Sequence, residues 1–289
     1  MARFGVSIVP SASGRSDPVA EAVRTEERGF DIVSIWDHPH GDRPSFETWT
    51  LLTWIAARTS RVHVATDVLG LPFRLPAITA KVAESLDRLS NGRVILGLGG
   101  GGTDAEFAGL GAPVRTPAEK VEALEEALAV IRGVWSASPF TFEGRHYRND
   151  AALVEPKPDR AIPIWLGTYG PKALALTGRV ADGWIPSMGP ATPAEATSKM
   201  RVVRAAAEEA GRDPDDLDYA FNVGVRVGGS PPEDPERLVA GEPDEVIERL
   251  LVFLELGFTV LNFWVGGRRE EQAERLATEI VPQLRQLAG

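Results

Sequence analysis

A chain of 289 residues, 43% hydrophobic and 25% charged, can bury a large core, and an α/β barrel of this length is ordinarily one domain. A net charge of -10 offers no basic stripe to neutralise phosphates, so neither nucleic acid nor an anionic membrane surface is an expected partner. The absence of cysteine excludes disulfides, thiolate zinc sites and thiol nucleophiles.

Met1-Ala2-Arg3-Phe4-Gly5 runs straight into a strand-like segment without a basic or apolar leader, so the cytoplasm is the expected compartment. The longest apolar stretch, 250–264, is broken by Glu255 and Gly257, and no membrane span is expected. Short β-branched runs at 4–9, 32–36, 62–69, 94–98, 163–166, 183–185, 219–227 and 259–265 alternate with longer segments of helical period. That rhythm predicts a parallel sheet with crossover helices, and eight strands predict a single (β/α)8 TIM barrel over residues 1–289. The helices have readable ends: Asp17-Pro18 opens the first and Arg28-Gly29 closes it. Thr116-Pro117-Ala118-Glu119 and Thr192-Pro193-Ala194-Glu195 combine an N-cap, a first-turn proline and a capping-box acid, and Glu242-Pro243 opens a later helix. An open doubly wound sheet is the rival fold, but Val9-Pro10-Ser11-Ala12-Ser13-Gly14 is not the glycine-rich dinucleotide turn it ordinarily carries. A short insertion before the fifth strand, 136–161, contains Phe140 to Tyr147 in the pattern of a hairpin.

In a barrel the chemistry is expected at the carboxyl ends of the strands. The second strand ends in Trp36-Asp37-His38-Pro39-His40. There an imidazole can exchange protons near neutral pH, or the aspartate can cap the next helix beside a surface histidine. A metal site is not expected: Pro39 kinks the two histidines apart, and His63 lies near the start of its strand, at the other end of the barrel. The run Gly99-Gly100-Gly101-Gly102 after the fourth strand allows close approach of a planar ligand or makes a flexible loop. Gly167-Thr168-Tyr169-Gly170-Pro171-Lys172 turns into a helix whose free N–H groups suit a phosphate, with Lys172 adding charge or facing solvent.

Two segments are specific enough to carry a resemblance: Leu86-Asp87-Arg88-Leu89-Ser90-Asn91-Gly92-Arg93-Val94-Ile95-Leu96-Gly97-Leu98-Gly99, and Ile162 to Gly167 running through Gly170-Pro171-Lys172-Ala173 to Ala181-Asp182-Gly183-Trp184. Over nearly its whole length the chain resembles the bacterial luciferase-like family, barrel oxidoreductases that use FMN or the deazaflavin F420. Asp37-His38 is similar to the pair that deazaflavin-dependent members carry after the second strand, where the aspartate contacts the cofactor and the histidine lies by its reactive carbon. Ala65-Thr66-Asp67-Val68-Leu69 is similar to their third-strand bulge, whose non-prolyl cis peptide lies behind the cofactor ring and falls here at Asp67-Val68, which the resemblance makes cofactor-binding residues. The resemblance further implies that Gly100 and Gly101 line the cofactor, that Tyr169, Gly170, Lys172 and Ala173 hold its phosphate, and that Ser187 stands nearby. One position departs: the sugar-phosphate dehydrogenase branch has a catalytic glutamate just after the strand-four glycines. Here Gly102 takes its place, with Asp104 and Glu106 the nearest carboxylates.

The implied function is F420-dependent hydride transfer to or from a small organic substrate, with His38 moving the proton. Two alternatives stay open. One is a reduced-FMN monooxygenase fed by a separate flavin reductase, with Trp36, Trp49, Phe73, Trp184 and Trp264 walling an apolar pocket. The other is a non-catalytic flavin-binding barrel. Family members are commonly dimers, so a homodimer is the implied assembly.

Overall fold

The computed structural model describes residues 2–14, 16–189, 191–229 and 232–287. Its strands, in chain order among the described residues, are β1 (Arg3–Ile8), β2 (Ile32–Ile35), β3 (His63–Thr66), β4 (Leu69–Gly70), β5 (Val94–Gly99), β6 (Phe140–Glu143), β7 (Arg148–Ala152), β8 (Ile164–Leu166), β9 (Gly183–Trp184), β10 (Asp218–Val227), β11 (Val239–Gly241) and β12 (Val260–Val265). Eight of them close in the order β1-β2-β3-β5-β8-β9-β10-β12, every pair parallel and β12 returning to β1. This is the predicted (β/α)8 barrel. The Thr116 and Thr192 capping boxes are both made, and Glu242 forms a third with Glu245. The insertion is the antiparallel hairpin β6–β7. No helix among the described residues is long and apolar enough to cross a membrane.

Side chains alternate along a strand, so every second residue enters the barrel. Ile32, Ala65, Ile95, Trp165, Ile185, Ala220 and Val260 form one apolar cluster inside it, separate from the larger core between strands and helices. Two residues further along β2, the β3 chain, β10 and β12 come Ser34, Asp67, Asn222 and Asn262, all buried. The same period that builds an apolar plug thus lays a polar layer directly above it.

The predicted third strand, 62–69, is interrupted. β3 ends at Thr66, the Asp67-Val68 peptide is cis, and pairing resumes at β4. The Thr66 hydroxyl takes over from the backbone at the break: Oγ1 donates to Gly97 O and accepts from Gly97 N, each at 2.8 Å. β5 therefore loses no hydrogen bond where the neighbouring chain departs.

Candidate active site

The carboxyl ends of the strands surround a cavity of about 560 Å³, within the range of small-molecule and cofactor sites. On its rim His38 is exposed, and its Nδ1 lies 2.9 Å from Glu106 Oε1 and 3.1 Å from Oε2. Glu106 comes from the short helix α4 (Asp104–Gly109) and is 14% exposed at its side chain, against 58% for His38. With Glu106 ionised, Nδ1 carries the proton and donates it, leaving Nε2 as an acceptor.

Asp37, one residue away, is employed differently. Its Oδ1 accepts from Thr48 Oγ1 at 3.0 Å and from Arg74 Nη2 at 2.9 Å, and its Oδ2 accepts from Gly70 N at 2.9 Å and from Arg74 Nη1. Gly70 N and the two Arg74 nitrogens are committed to this carboxylate, while the single Thr48 hydroxyl hydrogen is shared with Trp36 O at 2.8 Å. Arg74 also holds Glu47 at 2.9 Å. Burial opposes the Arg74 charge, but the bonds and attraction of Asp37 and Glu47 outweigh it and raise the guanidinium pKa. Asp37 lines the cavity as expected, with most of its carboxylate engaged by Arg74 and Gly70 N. In this structure Asp37 holds the β2 loop against the turn after β4.

The floor is the polar layer. Asp67 Oδ1 accepts from Asn222 Nδ2 at 2.8 Å, and Oδ2 accepts from Asn262 Nδ2 at 3.0 Å and Ser34 Oγ at 3.5 Å. Asn222 Nδ2 also reaches Ser187 Oγ at 3.0 Å, and Ser187 N donates to the Tyr169 hydroxyl at 2.9 Å. Burial raises the Tyr169 pKa, with the Ser187 bonds opposing.

Of the residues the sequence singled out, Asp37, His38, Asp67, Val68, Gly100, Gly101, Tyr169, Gly170, Ala173 and Ser187 all line this one cavity. Lys172 does not: its side chain is exposed on α6 (Pro171–Val180), because the second helical residue points away when the first-turn N–H groups face the mouth. Trp36, Phe73 and Trp264 are wall residues. Trp184 is instead core, fully buried with its Nε1 donating to Thr168 O at 2.9 Å, and Trp49 is buried outside the lining residues. No three His, Cys, Asp or Glu side chains among the described residues are grouped to hold a metal. His146 lies on the hairpin with Nε2 3.3 Å from Glu122. Sequence reading missed Arg74 altogether and left Glu106 without a partner. Asn222 and Asn262 were legible in principle, as lone amides at inward positions of apolar strands.

A closed parallel barrel with an imidazole–carboxylate pair and a helix N-terminus on the same rim has the build of a barrel enzyme. Residues 2–283 match the model of the luciferase-like monooxygenase family, and the chain belongs to that family. The F420-dependent glucose-6-phosphate dehydrogenase of Nakamurella multipartita is 31% identical over 99% of this chain and 98% of its own length. The same-named enzyme of Microbacterium testaceum is 29% identical over 98% and 97%. Among solved structures, an F420-dependent secondary alcohol dehydrogenase in complex with an F420-acetone adduct shares the fold, with a TM-score of 0.86, 22% identity and coverage of 98% and 99%.

Proposed function

We propose that this chain is an F420-dependent oxidoreductase in which a hydride passes between the deazaflavin and a small neutral organic substrate, with His38 handling the proton. The observation that carries the reading is the His38–Glu106 pair, set on the rim of a cavity that has an anion-accepting helix end on another side. Full-length relatives named for F420 support the cofactor.

The residues present fit such a group. A Cβ on Gly99 would meet Val68 Cγ2 at 2.8 Å, and Gly101 has φ +97 and would meet Phe107 Cζ at 2.5 Å, so these glycines let the backbone of the cavity wall pack closely on Val68 and Phe107 and leave no side chain of their own in a ligand's way. Gly170 caps α6 with no side-chain bond, and nothing lies within 4 Å of the position its Cβ would take. The N–H groups of Lys172 and Ala173 then serve a phosphate with no help needed from the Lys172 ammonium. When bound, F420 accepts or supplies the hydride. In the oxidative direction His38 Nε2 takes the proton of the substrate hydroxyl whose carbon gives up the hydride; in the reductive direction it returns that proton to the carbonyl oxygen. Glu106 holds the ring through Nδ1 and stabilises the imidazolium.

Charge argues for a neutral substrate. Among the described residues the cavity lining holds Asp37, Asp67 and Glu106 but a single cation, Lys120, which is 2.6 Å from Asp104. The resemblance implies that Gly102 takes the place of the glutamate of the sugar-phosphate dehydrogenase branch. Asp37 is neutralised by Arg74, so a phosphorylated sugar would meet Glu106 while the one cation of the described lining is engaged by Asp104. The test is steady-state turnover with F420 on secondary alcohols, ketones and glucose 6-phosphate. The neutral compounds are expected to lead in kcat/KM by at least about tenfold. Preference for the sugar phosphate would overturn the substrate class. Turnover with reduced FMN and oxygen, without F420 binding, would overturn the whole reading.

A further inference from the structure

The rim supplies an imidazole and a carboxylate, but the deepest ionisable group of the cavity has no part in that scheme. Asp67 lies on the floor, 8% exposed. It is faced from β2 by Ser34, from β10 by Asn222 and from β12 by Asn262 and Trp264, and its strongest influences are burial and these neutral side chains. Tyr169 is the titratable neighbour that feels its charge. The other charged or titratable groups of the cavity are engaged elsewhere: Asp37 with Arg74, His38 with Glu106, Lys120 with Asp104.

The Asn262 amide donor of the cage is oversubscribed, although Trp264 also faces the carboxylate from β12. Asn262 Nδ2 has two hydrogens but three acceptors, Asn222 Oδ1 at 2.6 Å, Ser34 Oγ at 2.9 Å and Asp67 Oδ2 at 3.0 Å. Asn222 Nδ2 divides its two between Asp67 and Ser187. A carboxylic acid relieves that shortage by needing fewer donors and adding one. Its own O–H adds a donor on the floor of the cavity. Burying an anion without a cation is costly, and burial raises the Asp67 pKa to about 7.

We infer that Asp67 sets the charge state of ligand the floor accepts: it takes up one proton from solvent when the electron-rich ring of the reduced cofactor is seated, and so couples cofactor affinity to pH. The step forms one O–H bond on the Asp67 carboxylate and transfers no electrons. It rests on the F420 reading above.

Calorimetric titration of reduced F420 in buffers of different ionisation enthalpy counts the protons bound. At about pH 8 the wild-type chain should take up close to one more proton per bound cofactor than Asp67→Asn, and its Kd should rise more steeply, by up to about tenfold per pH unit. Asp67→Ser serves the same comparison if Asp67→Asn does not fold, and Asp67→Glu should restore uptake. Equal proton counts in wild type and variant would overturn the coupling and leave the cofactor assignment standing. Absence of F420 binding in either redox state across the pH range would overturn both.

Discussion

The two ends of the barrel use the same side chains to opposite ends. At the amino ends of the strands the charges of Asp87 and Arg93 are spent inside the protein. Asp87 accepts from Arg160 Nη2 at 2.7 Å and from Val94 N at 3.0 Å. Arg93 gives its five N–H groups to Ser90 O, Thr59 Oγ1, Val62 O, Ala56 O and Thr59 O. At the carboxyl ends, His38 keeps Nε2 open, and Asp67 is buried among neutral groups. Saturated polar groups fix a structure; unsaturated ones remain available to a ligand. Asp37 is instructive because it lies at the reactive end yet is built like the other, clamped by Arg74.

The largest effect that tests this contrast is on catalysis. His38→Ala should lower turnover by roughly 10²- to 10⁴-fold while leaving the melting temperature nearly unchanged, because the ring is 58% exposed. An unchanged rate per folded molecule with a lower melting temperature would make His38 structural. Next come the groups held inside the protein. Arg93→Ala and Asp37→Ala should each cost about 3 kcal/mol in urea unfolding, the order expected when a buried polar network loses one member. For Arg93→Ala the kinetics of the folded fraction should stay at the wild-type level. A rate loss with Arg93→Ala would break the division between the two ends.

The smallest and most selective effect is on the pH dependence of stability. The folded-state pKa of Asp67, about 7, lies above the ordinary 3.8. Between those values the folded chain keeps a proton that the unfolded chain has released, so stability falls as pH rises from the lower value to the higher and is level beyond it. The span corresponds to at most on the order of 4 kcal/mol. Asp67→Asn should remove that slope and be the more stable protein at neutral pH and above. Parallel pH–stability curves for the two proteins would show that Asp67 titrates as an ordinary carboxylate.

Of the two segments that carry the family resemblance, the first is mostly architectural. Leu86 to Gly99 is the end of one helix, a turn with Asn91 at φ 59 and Gly92 at φ 79, and the strand β5. Its Asp87 and Arg93 belong to the saturated end. The second segment, Ile162 to Trp184, by contrast reaches the site itself: Gly167, Gly170 and Ala173 line the cavity.

What the sequence determined by itself follows from local rules. Alternation of apolar runs gave the eight strands, Thr-Pro-Ala-Glu gave the capping boxes now seen at Thr116 and Thr192, and strand ends gave the rim on which His38 stands. Each depends on neighbours within a few residues, where period and backbone preference decide. The pairings that make the site were decided by the tertiary structure alone. Glu106 meets His38 across 68 residues, Arg74 meets Asp37 across 37, and Asn222 meets Asp67 across 155. Such partners are chosen by the register with which the strands close, since a shift of one residue would turn Asp67, Asn222 or Asn262 from the barrel interior to its outer face.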